Sequence, residues 1–285
     1  MAAVPMTAWT GLAAGLAVEE LEAELLLEAL FQRFGHDFRS YDRAAVRHRL
    51  AGAMRARGAA TLSGLQEQVL HDQAAASALL RMLAPQPAGL FDNPGHVQRL
   101  RTVLAPSLRA WPVPRVWVAE CAGVGEAWTL AIVLAEEGVL GKLDIHATLA
   151  NEELVAQNQD AWLPIADLDA ARTRHAAGGG TTPLAAYFEV RDGHARLLPD
   201  LRRRITWSQY SLVTDASFNE FQAILCCGTL SDFGPVLRQR VLRLFHDSLA
   251  RFGVLCLDRP MAVSDAHACS YQAIAGDRPW YKRVQ

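Results

Sequence analysis

The 285-residue chain lacks any stretch of about 20 residues free of charge and turn residues, which leaves no segment suited to spanning a bilayer. Its N-terminus, Met1-Ala-Ala-Val-Pro5, lacks the basic region and following apolar run of an export signal. The five cysteines (Cys121, Cys226, Cys227, Cys256 and Cys269) contain no Cys-x-x-Cys pair. Four of them sit in apolar, strand-like surroundings, so reduced thiols and a cytoplasmic location are expected. Net charge is nearly absent as well: 28 Lys and Arg against 30 Asp and Glu leave −2. That balance gives no reason to expect nucleic acid or an anionic membrane as partner. The nine histidines show no HxxxH, HExxH or mixed Cys/His ligand spacing, and no metal is expected. A GxSxG nucleophile elbow is also missing.

What is present is 51% hydrophobic content, enough for a sizeable core in one or two domains. Residues 14–83 read as helix, with Leu21, Leu25, Leu26, Ala29 and Leu30 on one face between Glu19 and Phe34. Gly35 and Gly58 punctuate the stretch, and Thr61 or Ser63 is the expected cap of the helix carrying Leu65 and Val69. The helical N-terminal domain is placed at 1–83, a Pro-rich joint at 84–94, and a second domain at 95–285. In the second domain strands and helices alternate: strand Arg115–Ala119, helix Ala127–Glu137, strand Leu143–Thr148, a helix from about Glu152, strand Ala223–Cys227, helix Val236–Arg251 and strand Val254–Leu257. This order implies an α/β fold with a mostly parallel sheet. Ala176–Thr182 reads as a flexible loop; it has no P-loop lysine. Cys226 and Cys227 end an apolar strand and read as buried small hydrophobes.

Six collinear segments carry a family resemblance. They are Phe38-Arg-Ser-Tyr-Asp-Arg-Ala-Ala-Val-Arg-His-Arg-Leu50, Leu90-Phe-Asp-Asn-Pro94, Arg115-Val-Trp-Val-Ala-Glu-Cys-Ala-Gly-Val-Gly-Glu-Ala-Trp-Thr-Leu-Ala131, Ile145-His-Ala-Thr-Leu-Ala-Asn-Glu-Glu153, Ile224-Leu-Cys-Cys-Gly-Thr-Leu-Ser-Asp-Phe233, and the helix and strand around Arg240–Leu257. Together they resemble the CheR family of chemotaxis methyltransferases, which methylate chemoreceptor glutamates with S-adenosylmethionine. The resemblance implies a Rossmann-like class I methyltransferase domain preceded by a small all-helical domain. It also implies S-adenosylmethionine or S-adenosylhomocysteine as ligand, with Glu120, Gly123, Gly125, Glu126, Asn151, Ser211 and Leu212 at or near the cofactor positions.

The departures from the family concentrate on those positions. Its first glycine after the opening strand is Glu120 here and its second is Val124. The acidic residue that would accept hydrogen bonds from the ribose hydroxyls is Leu149, with Asn151 two residues on. The arginine that would hold the substrate carboxylate is Asp92, which otherwise reads as a helix cap before Pro94. The Arg, Asn and Tyr of the active-site strand end are Cys227, Gly228 and Asp232. No clear insertion resembling the small β-subdomain by which some relatives grip a receptor tail is evident, and residues 173–200 are the only room for one. Arg43, Arg47, Arg49 and Arg55 fall on one helix and suit an acidic protein surface, with the family pointing to a chemoreceptor. Two functions follow. The favoured one is a CheR-like protein, degenerate at its cofactor and catalytic motifs, that binds or regulates in a bacterial signalling pathway without ordinary methyl transfer. The alternative is an active protein-glutamate O-methyltransferase with a rewired pocket.

Overall fold

A computed structural model describes residues 17–83, 86–150, 152–217, 219–274 and 279–285, and the chain divides into two compact units. The first unit holds α1 (Val18–Phe34), α2 (Arg43–Arg57), α3 (Leu62–His71) and α4 (Gln73–Leu83). Helical periodicity sets its core: Leu26, Leu27 and Leu30 of α1, Val46 and Leu50 of α2, Leu65 and Val69 of α3, and Ala76, Leu79 and Leu83 of α4 are buried. Gly35 ends α1 in the left-handed region at φ 76°, where a side chain would be strained. Thr61 caps α3 by accepting the Gly64 N–H at 3.0 Å.

The second unit comprises residues 40–42 and 84–285. Its elements are α5 (Pro94–Arg99), a π-helical turn, α6 (Ala105–Arg109), β1 (Arg115–Val118), α7 (Val124–Glu136), β2 (Asp144–Leu149), α8 (Glu152–Gln159), β3 (Leu163–Pro164) and α9 (Ile165–Ala177). There follow β4 (Phe188–Arg191), β5 (His194–Leu197), α10 (Pro199–Arg202), β6 (Ile205–Gln209), β7 (Phe221–Cys226), α11 (Pro235–Ser248), β8 (Leu249–Leu257), β9 (Tyr271–Ala273) and β10 (Trp280–Arg283). The main sheet runs β6-β2-β1-β7-β8-β10-β9, with the first five strands parallel and β10 antiparallel to both neighbours. Every residue of β7 is buried, as a strand covered on both faces requires. Trp117 on β1 anchors one face, edge-on to Tyr210 and Phe245 with centroids 5.2 and 5.4 Å away. After β1 the chain builds outward through β2 and β6, then returns to the other side of β1 with β7. The order therefore reverses at β1 and β7, and the crevice outside their carboxyl ends is where open sheets of this kind hold ligands.

Three expectations need correction. A second, antiparallel sheet, β3-β5-β4, lies between β2 and β6 in sequence, so a small β-subdomain is present and begins at Leu163 rather than at 173. Its strands are too short for alternation to show; the signal that could have located it is Asp192-Gly193, whose two residues both take positive φ (49° and 73°), the geometry of a two-residue type I′ turn. The glycine run is packed, not flexible. A Cβ on Gly180 would lie 2.1 Å from the His175 ring, and Arg101 Nε donates to the Gly178 carbonyl at 2.9 Å. Residues 249–251 belong to β8 instead of extending the preceding helix.

A buried polar cluster at the end of α7 fixes the surrounding segments. Glu136 pairs with Arg101, lies 3.0 Å from His175 Nε2, and accepts the Tyr187 hydroxyl at 3.0 Å. Arg101 also reaches Glu137 at 3.3 Å. Each charged group in this cluster has a partner of opposite charge or a hydrogen bond.

Candidate functional site

The carboxyl ends of β1, β2, β7 and β8 gather the residues that matter most. Directly after β1, Glu120 adopts φ 56°, the left-handed region that costs a non-glycine residue roughly 1–2 kcal/mol. Its amide donates to Thr148 Oγ1 at 3.3 Å, and the next amide, of Cys121, donates to the Thr148 carbonyl at 2.8 Å. The Glu120 carboxyl lies near the Leu212 N–H, and its Oε2 is removed from solvent with no hydrogen-bond partner among the described residues. Burial pushes this carboxyl up to about 7, with the Leu212 N–H pulling the other way. Leu212 follows β6, and β2 lies between β6 and β1. The Glu120 side chain therefore crosses the carboxyl end of β2, where Leu149 is fully buried.

The two glycines kept in this loop serve the chain itself. A Cβ on Gly125 would lie 2.0 Å from the Ala88 carbonyl oxygen, and one on Gly123 would lie 3.0 Å from Pro87. Both are glycine because segment 86–89 packs directly on the loop. Gly123 is the N-cap of α7, and Glu126 stands in its first turn. Burial pushes the Glu126 carboxyl up to about 7, opposed by His96 and by the nearby Cys227 thiol. Glu126 Oε1 is removed from solvent and meets no partner among the described residues.

Beside Glu126, at the ends of β7 and β8, Cys227 and Cys256 bring their sulfurs within 3.6 Å, and Cys256 Sγ lies 4.0 Å from His96 Nδ1. Burial opposes ionising Cys256, yet the hydrogen bond it shares with Cys227 and the neighbouring His96 lower its thiol pKa, while Cys227 is held well above its ordinary value. All five cysteines are free thiols.

The remaining sequence candidates are placed as follows. Asp92 is not the helix cap: Asn93 is, accepting the His96 N–H at 3.1 Å. Asp92 instead pairs with Arg174 at 2.9 Å and accepts the Gly89 N–H. Gly228 takes φ 130°, and a Cβ there would meet nothing within 4 Å. Asp232 is buried in a short turn, where its carbonyl accepts the Asp42 N–H at 2.7 Å. Ser211 Oγ accepts the Val213 N–H at 3.3 Å, so its hydroxyl is engaged locally. Asn151 lies outside the described residues. In the first unit Arg43 pairs with Glu24 at 2.8 Å, Arg49 donates to the Leu83 carbonyl at 2.9 Å, and Arg47 and Arg55 are exposed. The strand ends thus unite Glu120, Glu126 and Cys227. They also add His96 and Cys256, which sequence reasoning missed because 160 residues separate the two.

Comparison with known proteins agrees with the sheet order and the segment matches. Residues 21–84 match the CheR methyltransferase all-alpha domain, and residues 88–273 match the CheR methyltransferase SAM-binding domain. A Pseudomonas putida protein named "Putative methyltransferase Cher3" is 34% identical over 84% of this chain and 87% of its own. A Listeria innocua "Chemotaxis protein methyltransferase" is 27% identical over 50% of this chain and 51% of its own. A solved O-methyltransferase family protein from Burkholderia thailandensis is 14% identical with a TM-score of 0.35, over 83% of this chain and 52% of its own, so the chain spans about half that protein. The chain belongs to the CheR methyltransferase family.

Proposed function

We propose that, within the CheR family, this chain keeps the methyltransferase fold as a binding or regulatory scaffold of a bacterial signalling pathway and does not carry out ordinary methyl transfer. The observation that carries the reading is the Glu120 carboxylate lying across the end of β2. Transfer of a methyl group from a sulfonium to a carboxylate needs little proton movement, because the leaving group is already cationic and the nucleophile already ionised. Its catalysis is mostly placement of the two reactants. The residues at the strand ends do not fit S-adenosylmethionine in that role. Leu149 offers no acceptor to a ribose, Gly123 and Gly125 are covered by residues 87–89, and Asp92, paired to Arg174, would repel a substrate carboxylate.

The exposed Arg47 and Arg55 on α2 support a partner with an acidic protein surface, of which a chemoreceptor is the case the family suggests. Titration calorimetry with S-adenosylmethionine and S-adenosylhomocysteine tests the reading: no heat of binding is expected up to millimolar ligand. Micromolar binding together with methyl-ester formation on receptor glutamates would overturn it. That outcome would favour an active enzyme with a rewired pocket around Gly123, Gly125, Glu126, Asn151, Ser211 and Leu212, for which the retained Glu126 at the start of α7 is the supporting feature.

A further inference from the structure

We propose that His96, Cys227 and Cys256 form a binding site for a soft divalent cation of the zinc class. One ligand-type atom from each of the three residues lies within 4.8 Å of the other two. A tetrahedral ion bonded to two thiolates at about 2.3 Å and to an imidazole at about 2.0 Å holds the sulfurs about 3.8 Å apart, and each sulfur about 3.5 Å from the nitrogen. The sulfurs, 3.6 Å apart, lie close to that figure, whereas Cys256 Sγ to His96 Nδ1, at 4.0 Å, must shorten by about 0.5 Å on binding. Two sulfurs and one imidazole favour zinc or another thiophilic metal over magnesium or calcium, which take oxygen ligands.

The ligands stand on rigid supports. Cys256 lies within β8 and Cys227 directly follows β7, two paired parallel strands in the middle of the sheet. His96, in the first turn of α5, has its ring stacked on Trp280 of β10 at 5.5 Å, which fixes the imidazole plane. Cys256 is buried while Cys227 and His96 are half-buried, so an ion can enter from the open side. The Glu126 carboxyl lies near the Cys227 thiol, and its Oε1 meets no hydrogen-bond partner among the described residues. Each thiol that ligates gives up its proton, so uptake of one ion releases up to two protons to solvent. The site does not depend on whether S-adenosylmethionine binds; a zinc result and a cofactor titration are independent readings on the same protein.

The experiment uses the full chain with Cys269→Ser as background, because Cys269 is an exposed thiol that could hold metal adventitiously. The reduced protein is loaded with zinc, dialysed against buffer and analysed for metal; cobalt is loaded in parallel. One zinc per chain is expected, and the cobalt form should show thiolate-to-metal charge-transfer absorption with tetrahedral d–d intensity. Cys227→Ser and His96→Gln should each weaken retention by more than the ~10–100-fold that losing an outer-shell partner of a metal ligand costs. Cys227 is the preferred cysteine because it is half-buried just beyond its strand, and metal-free unfolding curves show whether each variant still folds. The proposal is overturned if the reduced background protein retains no more zinc than the Cys227→Ser/Cys256→Ser double variant, or if its cobalt form lacks the charge-transfer band. Air-oxidised protein carrying a Cys227–Cys256 disulfide that, once reduced, still takes up no zinc would equally overturn it, assigning the pair to redox chemistry.

Discussion

Helix α7 carries a buried polar cluster at each end, and the two are built on opposite terms. At its last residue Glu136 meets Arg101, His175 and Tyr187, so charge and hydrogen bonds are answered within the protein. At its first turn Glu126, with Glu120 before it in the preceding loop, brings enclosed carboxyl oxygens that no donor among the described residues reaches, two thiols, and His96 as the adjoining basic group. A buried polar network that is fully satisfied fastens a fold, whereas one left unsatisfied taxes stability and is characteristic of sites that act on something else. The comparison sets a satisfied polar cluster against an unsatisfied one at the two ends of a single 13-residue helix.

The comparison can be broken most forcefully at the balanced end. Arg101→Ala leaves the buried Glu136 without its guanidinium, Glu137 keeping Arg109, and a loss of about 3–5 kcal/mol is expected in urea unfolding. A loss below about 1 kcal/mol would show that the cluster is not the fastening it resembles. At the unbalanced end the sign reverses. The Glu120 carboxyl titrates near 4.5 when unfolded and at about 7 when folded, so the fold favours its protonated form. Stability from this group is complete below pH 4.5 and falls as pH rises towards about 7, a difference of about 3 kcal/mol. Above pH 7.5 Glu120→Gln should therefore be more stable than the parent, and its unfolding free energy should change less between pH 5 and pH 7.5; a less stable variant at pH 8 would refute the assignment. The Cys121 and Cys226 thiols that face Glu120 stay protonated through this range, since burial raises both.

Two smaller effects sharpen the contrast. Gly125→Ala must displace the Ala88 carbonyl, and a cost of about 1–3 kcal/mol with faster proteolysis at residues 86–89 is expected. Unchanged stability and cleavage would mean that the segment does not rest on the loop. Arg43→Ala removes an exposed pair with Glu24 and should change stability by less than about 1 kcal/mol in the same assay, the scale against which the buried clusters are measured.

Much of this molecule is legible in the primary structure. Leucine spacing gives the helices, but on α1 the expected face is only partly right, since Leu21 and Leu25 are exposed while Ala23 and Leu27 join Leu26 and Leu30 in the core; the Thr61 cap follows from a hydroxyl residue placed before an apolar run. The parallel strands follow from alternation, and the family from six ordered segments. Glu120 was visible as a substitution at a glycine position, but not as a left-handed residue whose carboxylate reaches Leu212, because φ depends on how the β1 turn meets Thr148. The β3-β5-β4 sheet escaped because strands of two to four residues carry too little pattern, although Asp192-Gly193 marked its turn. Asp92 was misread as a cap because its partner, Arg174, lies 82 positions away, whereas the true cap, Asn93, uses an amide three residues on.

By itself, then, the sequence determined what contiguous residues can encode: helix faces, the order of strands and helices, the glycine that ends α1, and the family. Only the tertiary structure decided which strand ends become neighbours. The order β2-β1-β7-β8 sets the end of β7 beside β8, and the packing of α5 brings His96 to Cys256 across 160 residues. The physical reason is range. Periodicity and capping act over one or two turns of chain, whereas ligand distances and the burial of a carboxylate are fixed by the packing of distant segments.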